Sequence, residues 1–360
     1  MGHRKSMKSL FGKKSSEFKI LIIRPSSMGD IVMASSMLRP LKLSFPGSYI
    51  AWLLEPAYSP ILEAHPLVDE IVVWEKKQWQ KSLKTGRVFA LTSQLLRFSK
   101  SLRSKKFDLA LEAQGLFRSR LLAWLSGARE RVGFCSNEPG RLLMTRMISK
   151  GPESKQMGSE YLHMLNEVGA EVGKEFAPDL RVTEQDTATA SKKLRRIGIP
   201  GKYAVLAPFT TRPQKHWITD RWADVSRRLR ETHNISSVLL GGSQDVSKAR
   251  EIVARSKGTC VSLVGDTTIG ETMTIVKEAS ILVGVDTGIT HMGAAFATPT
   301  IALFGATCPY LFTSRNNFLV LYHGLPCSPC KRKPTCGGNY YCMEKISVEE
   351  VVNAANKVLT

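Results

Sequence analysis

Residues 19–30, which read KILIIRPSSMGD, constrain the fold of this chain more than any other segment. The apolar run at residues 20–23 is typical of a strand buried on both faces of a parallel sheet. A turn rich in serine and glycine follows, and an apolar pattern of helical period starts at Ile31. Asp30 stands at this junction. A carboxylate after the first strand of an α/β sheet faces the crevice where such sheets bind ligands, although an acid there can also simply cap the helix.

Apolar strand patterns alternate with helical patterns along most of the chain. The predicted strands are residues 20–23, 50–54, 71–74, 109–112, 203–207, 237–240, 261–264, 281–285 and 300–304. Predicted helices include residues 31–44, 88–105 and 185–197. Strands separated by helices build parallel sheets from βαβ units. A polar, lysine-rich stretch then separates two Rossmann-like domains, residues 19–185 and 186–360, and residues 1–18 are expected to be a flexible basic arm.

The charge balance restricts the kind of partner. The 360 residues include 51 Lys or Arg against 31 Asp or Glu, which gives a formal net charge of +20. Such an excess favours a phosphorylated substrate, an acidic membrane surface or nucleic acid. Nucleic acid is disfavoured because the sequence has no zinc-finger pattern, RNP-like strand or recognition helix. No apolar run approaches the ~20 residues that span a bilayer, and the basic arm lacks the apolar segment of a secretory signal.

Polar side chains follow three predicted strands of the second half. They are Thr210, Thr211 and Lys215 after the first strand, Asp245 after the second, and Asp286, Thr287, Gly288 and His291 after the fourth. Hydroxyls and backbone N–H groups suit phosphate oxygens, and a lysine or a helix start adds positive charge. An acid at such a strand end commonly accepts from a ribose hydroxyl. These turns therefore predict a nucleotide-diphosphate site, and the absence of G-x-G-x-x-G from them disfavours a nicotinamide dehydrogenase.

Together, SSMGD, TTRPQKHW, GGSQD and VGVDTGITHMGAA resemble glycosyltransferase family 9, the ADP-heptose:lipopolysaccharide heptosyltransferases. The resemblance covers most of the chain. It implies the α/β GT-B fold, with two Rossmann-like domains whose parallel sheets face each other across a cleft: an N-terminal acceptor domain (19–185) and a C-terminal sugar-nucleotide-binding domain (186–360). It also implies metal-independent, inverting transfer of a heptose from ADP-heptose to the lipopolysaccharide inner core, at Kdo or the first heptose. The expected location is cytoplasmic, on the inner face of the inner membrane.

The resemblance also assigns roles to residues of this chain. Asp30 is expected to be the general base, and Ser27 and Gly29 shape the turn that presents it. On the donor side, Lys215, Thr210 and Thr211 match diphosphate-binding positions, Asp245 matches an acid that holds the ribose, and Asp286, Thr287, Gly288 and His291 match the loop that binds the sugar and phosphates. An inverting transfer needs one base for the acceptor hydroxyl. Fixed cations and helix N–H groups can stabilise the departing ADP, so no catalytic cofactor is expected.

Residues 76–106 contain ten Lys or Arg and no acid. A solvated helical face is the usual meaning of such a run. The absence of acids equally favours contact with anions, either the phosphates and Kdo carboxylates of the acceptor or an acidic leaflet. Arg118 and Arg120, after the strand at 109–112, are predicted to reach the acids of the acceptor.

Four of the seven cysteines cluster near the C-terminus as Cys327-x2-Cys330-x5-Cys336-x5-Cys342. Four thiols at this spacing suit a structural zinc or iron–sulfur site, two disulfides, or reduced thiols. A cytosolic compartment argues against stable disulfides. The cluster is not expected to take part in catalysis.

Three alternatives stay open. The protein is a non-catalytic sugar-nucleotide binding module if Asp30 only caps its helix. A transferase of another ADP- or UDP-sugar, or a UDP-sugar epimerase, would share the GT-B fold. Among heptosyltransferases, the TTRxxKHW form favours one that acts first on the core, whereas the cysteine cluster points elsewhere.

Overall fold

A computed structural model describes residues 18–152, 154–173, 176–330 and 333–359, which form two compact units. The first unit extends to Ser154 and includes Gly158–Phe176; the second contains Lys155–Met157 and begins again at Ala177. The predicted basic arm lies outside the described residues except for Phe18. That residue is buried and stacks on Phe45 with ring centroids 5.0 Å apart, so Phe18 belongs to the first unit and not to the arm.

The first unit is a six-stranded parallel sheet with helical connections. Its elements are β1 (Lys19–Ile23), α1 (Met28–Ala34), α2 (Leu38–Ser44), β2 (Tyr49–Leu54), β3 (Glu70–Val73), α3 (Lys76–Lys84), α4 (Val88–Ser104), β4 (Leu109–Glu112), α5 (Phe117–Leu125), β5 (Glu130–Phe134), β6 (Arg146–Ile148) and α6 (Ser159–Glu167). The strand order β3-β2-β1-β4-β5-β6 is that of a Rossmann unit. The order reverses between β1 and β4, and ligands bind such sheets beyond the carboxyl ends of these two strands.

The second unit repeats this plan. Its elements are α7 (Glu184–Arg196), β7 (Tyr203–Ala207), α8 (Thr219–His233), β8 (Ser236–Leu239), α9 (Val246–Arg255), β9 (Cys260–Ser262), α10 (Ile269–Glu278), β10 (Ile281–Val285), α11 (Gly288–Phe296), β11 (Thr300–Leu303), β12 (Phe318–Leu321), α12 (Tyr341–Glu344) and α13 (Val348–Leu359). The parallel order is β12-β11-β10-β7-β8-β9, so the reversal falls between β7 and β10. The strands that carry the three predicted polar turns, β7, β8 and β10, are therefore adjacent.

The central strands of both sheets are buried, which explains why they appear as apolar runs in the sequence. In the first sheet, residues 20–23 have no exposed surface, and Leu21 and Ile23 pack with Leu53 and Leu122. In the second, β7 and β10 are buried along their whole length. Covering both faces of each sheet removes these aliphatic side chains from water, which is the main favourable term for a sheet of this type.

Each predicted strand is confirmed to within two residues at either end, and β5, β6 and β12 were missed. β5 reads ERVGF and β6 has three residues, so neither presents an apolar run. The predicted helix at 31–44 is two helices joined by a 3₁₀ turn at Ser35–Met37. The expected domain boundary, between residues 185 and 186, falls inside α7, which packs on α10 and so belongs to the second unit. Among the described residues, no helix combines the length and apolarity needed to cross a membrane.

Candidate functional site

Asp30 lies where the first sheet reverses its order, in the first turn of α1. Its Oδ2 accepts hydrogen bonds from the Ser27 hydroxyl (2.7 Å) and the Ser27 N–H (3.3 Å). This is the capping contact that the sequence left as an alternative. Gly29 is buried in the same turn, and the Ser26–Ser27 peptide bond is cis. Asp30 is therefore a helix cap, but its contacts extend beyond that role.

Arg24, which directly follows β1, is the second partner of Asp30. Its Nη2 lies 2.7 Å from Asp30 Oδ1, and its Nη1 donates to the carbonyl of Ala113 (2.8 Å) in the turn after β4. The guanidinium thus joins the two strand ends at the reversal point. Gln114 adds a second link by donating to the carbonyl of Ser26 (3.1 Å). These contacts fix the position of the Asp30 carboxylate relative to the ends of β1 and β4.

The environment keeps Asp30 ionised and accessible. Burial acts to raise the pKa of this carboxyl, but the Arg24 charge and the Ser27 hydrogen bonds outweigh it and hold the pKa below its usual value. The Asp30 side chain is 34% exposed. A carboxylate offers about four acceptor positions; Arg24 takes one and Ser27 two. Among the described residues no further donor is bonded to this carboxylate, so one acceptor position remains for an incoming donor.

The two arginines predicted for the acceptor do not act alike. Arg118 is exposed at the start of α5, as expected for a residue that meets a ligand. The prediction for Arg120 is wrong. Its side chain is buried, and its guanidinium donates to the carbonyls of Phe134 (3.0 Å), Glu138 and Pro139 (2.8 Å) and to Ser136 Oγ (2.8 Å). Residues two apart on a helix point to different faces, so only one of the pair can be outside.

In the second unit, Lys215 joins the turns after β7 and β10. Its Nζ lies 2.6 Å from Asp286 Oδ2 and 3.3 Å from the Asp286 carbonyl. Lys215 ends the 3₁₀ turn Pro213–Lys215, and Asp286 directly follows β10. An ammonium group has three N–H donors, so one donor of Lys215 stays available for an anion.

Asp286 is the centre of a buried polar network. His291 Nε2 lies 3.2 Å from Asp286 Oδ1, Thr307 donates to Asp286 Oδ2, and the Tyr310 hydroxyl lies 2.6 Å from His291 Nδ1. Because a carboxylate only accepts, Nε2 must carry the hydrogen, and in the neutral ring Tyr310 donates to Nδ1. Burial acts to raise the pKa of Asp286, but His291 and Lys215 outweigh it and hold the pKa far below its usual value. The carboxylate is ionised throughout the neutral range.

The start of α11 adds partial positive charge beside this network. Thr287 is its N-cap residue and Gly288 its first helical residue, and both are half-buried. The first N–H groups of a helix have no intrahelical partner and attract anions. Thr287, Gly288, His291 and Lys215, all predicted as donor-binding residues, therefore lie around one buried carboxylate.

A pocket of about 770 Å³ lies in the second unit next to the turn that carries Lys215; its lining includes His216 but neither Lys215 nor Asp286. Thr210 and Thr211 line it after β7, Gln244 and Lys248 after β8, and Asn339, Tyr340, Met343 and Glu344 close its far wall. The volume is in the range of small-ligand sites. Asp245 is not among the lining residues: its Oδ2 accepts from the Gly242 N–H and from Gln244 Nε2, both at 3.0 Å, and so closes the turn before α9.

The four clustered cysteines precede and enter α12, beside the far wall of this pocket. All four thiols are free. Burial raises the pKa of Cys342, and Cys330 and Cys327 raise it further, so the sulfurs are close enough for their charges to interact. In the described part of the chain, however, no three His, Cys, Asp or Glu side chains are placed to hold a metal ion.

The family model of glycosyltransferase family 9 (heptosyltransferase) matches residues 95–341, which is more than half of the chain. The chain belongs to glycosyltransferase family 9. The resemblance found in the sequence motifs is thereby confirmed.

Relatives of this family 9 member align with it over more than four-fifths of its length. Lipopolysaccharide heptosyltransferase 1 of Pseudomonas aeruginosa is 26% identical over 327 residues, which cover 88% of this chain and 87% of the relative. Lipopolysaccharide heptosyltransferase 2 of Salmonella typhimurium is 26% identical over 310 residues, with 81% and 84% covered. An Escherichia coli heptosyltransferase solved with ADP-2-deoxy-2-fluoro heptose superposes with a TM-score of 0.69 at 21% identity, covering 94% of this chain and 99% of that one. The GT-B fold class is confirmed.

Several residues of this family 9 member escaped the sequence analysis. Arg24 and Gln114 hold the turn of Asp30, and Thr307 and Tyr310 hold Asp286 and His291. Arg24 directly follows the first strand, and that position was a usable signal. Thr307 and Tyr310 follow β11. The sheet order places β11 beside β10, and no local sequence pattern indicates that order.

Proposed function

We propose that this protein transfers a heptose from ADP-heptose to the inner core of lipopolysaccharide, with inversion and without a catalytic metal ion. The observation that carries the proposal is Asp30: an ionised, partly exposed carboxylate with one free acceptor position, fixed at the point where the first sheet reverses. A carboxylate that served only as a cap would not need a buried arginine to hold it against the neighbouring strand.

In the proposed reaction, the first unit supplies the base and the second unit binds the leaving group. Asp30 accepts the proton of the acceptor hydroxyl while that oxygen forms its bond to the anomeric carbon. The bond from the anomeric carbon to the ADP oxygen breaks, and the electron pair leaves with the diphosphate. Lys215 and the start of α11 stabilise the charge that develops on this leaving group. Attack opposite to the departing bond inverts the anomeric configuration.

The donor is assigned to the pocket of the second unit. Its volume, the threonines after β7 and Lys248 suit an adenosine diphosphate. Gln244 and Lys248, which line the pocket, are better placed for the ribose than Asp245, whose carboxylate closes its own turn. The relatives named lipopolysaccharide heptosyltransferase 1 and 2 support a heptose donor.

The acceptor is proposed as Kdo or the first heptose of the inner core, with Arg118 contacting its anionic groups. Relatives named heptosyltransferase 1 and heptosyltransferase 2 are equally similar to this chain, so both acceptors belong in the test. The thiol cluster is proposed to have no part in the reaction. Whether it takes a structural zinc or iron–sulfur centre is decided by metal analysis of protein purified without chelator.

Product mass decides the function. The protein is incubated with ADP-heptose, ADP-glucose, UDP-glucose and UDP-N-acetylglucosamine, each with lipopolysaccharides truncated at Kdo or at the first heptose. We expect one added heptose from ADP-heptose alone, and the same product in the presence of chelator. Epimerised free nucleotide-sugar, or transfer from a UDP-sugar only, would refute the assignment.

Arg24→Met is expected to move the acid limb of the pH dependence of kcat/KM to higher pH. The base works only when ionised, and Arg24 lowers the pKa of Asp30 against the effect of burial. Without the cation the pKa rises, so activity is lost at a higher pH as the pH falls. Arg24→Lys keeps the charge and should keep the limb near that of the wild type. A uniform loss of activity in Arg24→Met, with the limb unmoved, would mean that Arg24 serves stability alone.

A further inference from the structure

Helices α3 and α4 form a hairpin, called here the basic hairpin (residues 76–106), that is anchored firmly to the first unit. Trp79 of α3 packs edge-on against Trp74 (5.7 Å between ring centroids) and Phe98 (5.3 Å). Leu102 at the end of α4 is buried in the core. The hairpin is therefore held in one orientation, and its outer surface is a fixed feature of the fold.

The outer surface carries large apolar side chains that the fold does not cover. Phe89 is 94% exposed and Leu96 is 66% exposed, and Leu83 and Val88 near the turn are also exposed. Phe89 and Leu96 are seven residues apart, so they share one face of α4. Single exposed apolar residues are common, but several in one small region mark an interaction surface.

The same surface is strongly and uniformly positive. Of its ten bases, Lys76 pairs with Glu55 and Lys105 with Glu70, and Arg103 is used on the Leu125 carbonyl. The remaining seven are exposed and form no ion pair with any described residue. They are Lys77, Lys81, Lys84, Arg87, Arg97, Lys100 and Lys106. Without counter-charges among the described residues, this surface attracts anionic partners.

We propose that the basic hairpin docks this protein on an anionic lipid surface, with Phe89 and Leu96 entering the headgroup region and the surrounding lysines and arginines contacting lipid phosphates. A helix face that combines bulky apolar side chains with bases is the pattern of interfacial membrane binding. Nucleic acid would match the charge but not the aliphatic residues. The inference deepens the proposed function, because a lipid-linked acceptor lies in such a surface, yet the docking itself needs no sugar transfer.

Vesicle binding tests the apolar contribution. Full-length protein is sedimented with vesicles of phosphatidylethanolamine and phosphatidylglycerol, and separately with vesicles of phosphatidylcholine. We expect binding to the anionic vesicles only, weakened by salt. Phe89→Ser/Leu96→Ser should weaken it by about tenfold or more, since two apolar side chains no longer enter the interface. Leu43→Ser on α2 is the matched control: Leu43 is 67% exposed but lies outside the hairpin, and its loss should leave binding unchanged.

Two double substitutions of basic residues test the electrostatic contribution to vesicle binding. Lys84→Gln/Arg87→Gln at the turn should weaken binding roughly thirtyfold at low salt, because each base near an anionic surface contributes about 1 kcal/mol. Lys192→Gln/Arg195→Gln on α7 removes the same charge from exposed positions of the other unit and should have little effect. Circular dichroism of each variant checks that it is folded.

Three results would overturn the inference: wild-type protein that ignores anionic vesicles, hairpin variants that bind as well as their controls, or binding to duplex DNA but not to vesicles. The proposed function is judged separately. Vesicle binding without heptose transfer would refute the function and leave the docking in place, whereas transfer to a truncated acceptor without vesicle binding would do the reverse.

Discussion

Asp30→Asn is expected to bind ADP-heptose nearly as well as the wild type and to transfer heptose about 10²–10⁴-fold more slowly, the usual contribution of a general base. The amide retains the shape of the side chain and can still accept from Ser27, but it cannot accept the proton of the acceptor hydroxyl. The donor is assigned to the other unit, so its affinity should be preserved. Single-turnover rates and calorimetric titration with ADP-heptose measure the two quantities.

A second carboxylate provides the control. Asp69 is 35% exposed, as Asp30 is 34% exposed, and each lies 2.7 Å from a basic side chain: Lys42 for Asp69 and Arg24 for Asp30. Asp69→Asn therefore removes a similar ion pair from the same unit, and it should leave turnover within a few-fold of wild type. If Asp30→Asn retained turnover at the level of this control, the base would have to be another group.

Lys215→Met is expected to lower kcat about 10²–10³-fold, the typical result of removing one preorganised donor from a developing charge. It should also weaken the binding of ADP, because the cation at the diphosphate is lost. The free energy of unfolding should fall as well, since Asp286 keeps its negative charge in a buried site with one cationic partner fewer.

Two further variants separate catalysis from stability. Lys193 pairs with the buried carboxylate of Glu271 at 2.7 Å, close to the 2.6 Å between Lys215 and Asp286. Lys193→Met should cost similar stability and leave turnover nearly intact. In Lys215→Met/Asp286→Asn, stability should recover in part while kcat stays low. Recovery of kcat in this double variant would show that Lys215 acts only by neutralising Asp286.

Local sequence patterns were sufficient for the main strands because these strands are buried on both faces. Such strands consist almost entirely of aliphatic residues, as in β1, β7 and β10. β5 (ERVGF) and the three-residue β6 are short and partly polar, so they present no such run, whereas β12 is apolar at all four positions and was overlooked. The apolar pattern could therefore identify strands with a long aliphatic run, including the edge strands β3 and β9, but not the short polar ones.

The candidate site was predictable where the residue type itself limits the chemistry. Asp30 and Lys215 stand in the segments that follow β1 and β7, at the edge of the sheet where such folds bind ligands. Arg120 was assigned wrongly because an arginine can also hold carbonyl groups inside a fold, and only its position on α5 shows which use it has. The roles of Thr307 and Tyr310 depend on which strands are neighbours, and that order is set by packing over the whole sheet.

The far wall of the pocket has a consequence for specificity. Asn339, Tyr340 and Met343 belong to a segment beyond the last strand of the sheet, whereas Lys215 and Asp286 lie in the turns that follow its central strands β7 and β10. In the proposed donor site, this wall is therefore a separate piece of chain from the turns assigned to the diphosphate. Substitutions in that segment are expected to change which nucleotide the pocket accepts while leaving the Lys215–Asp286 contact unaltered.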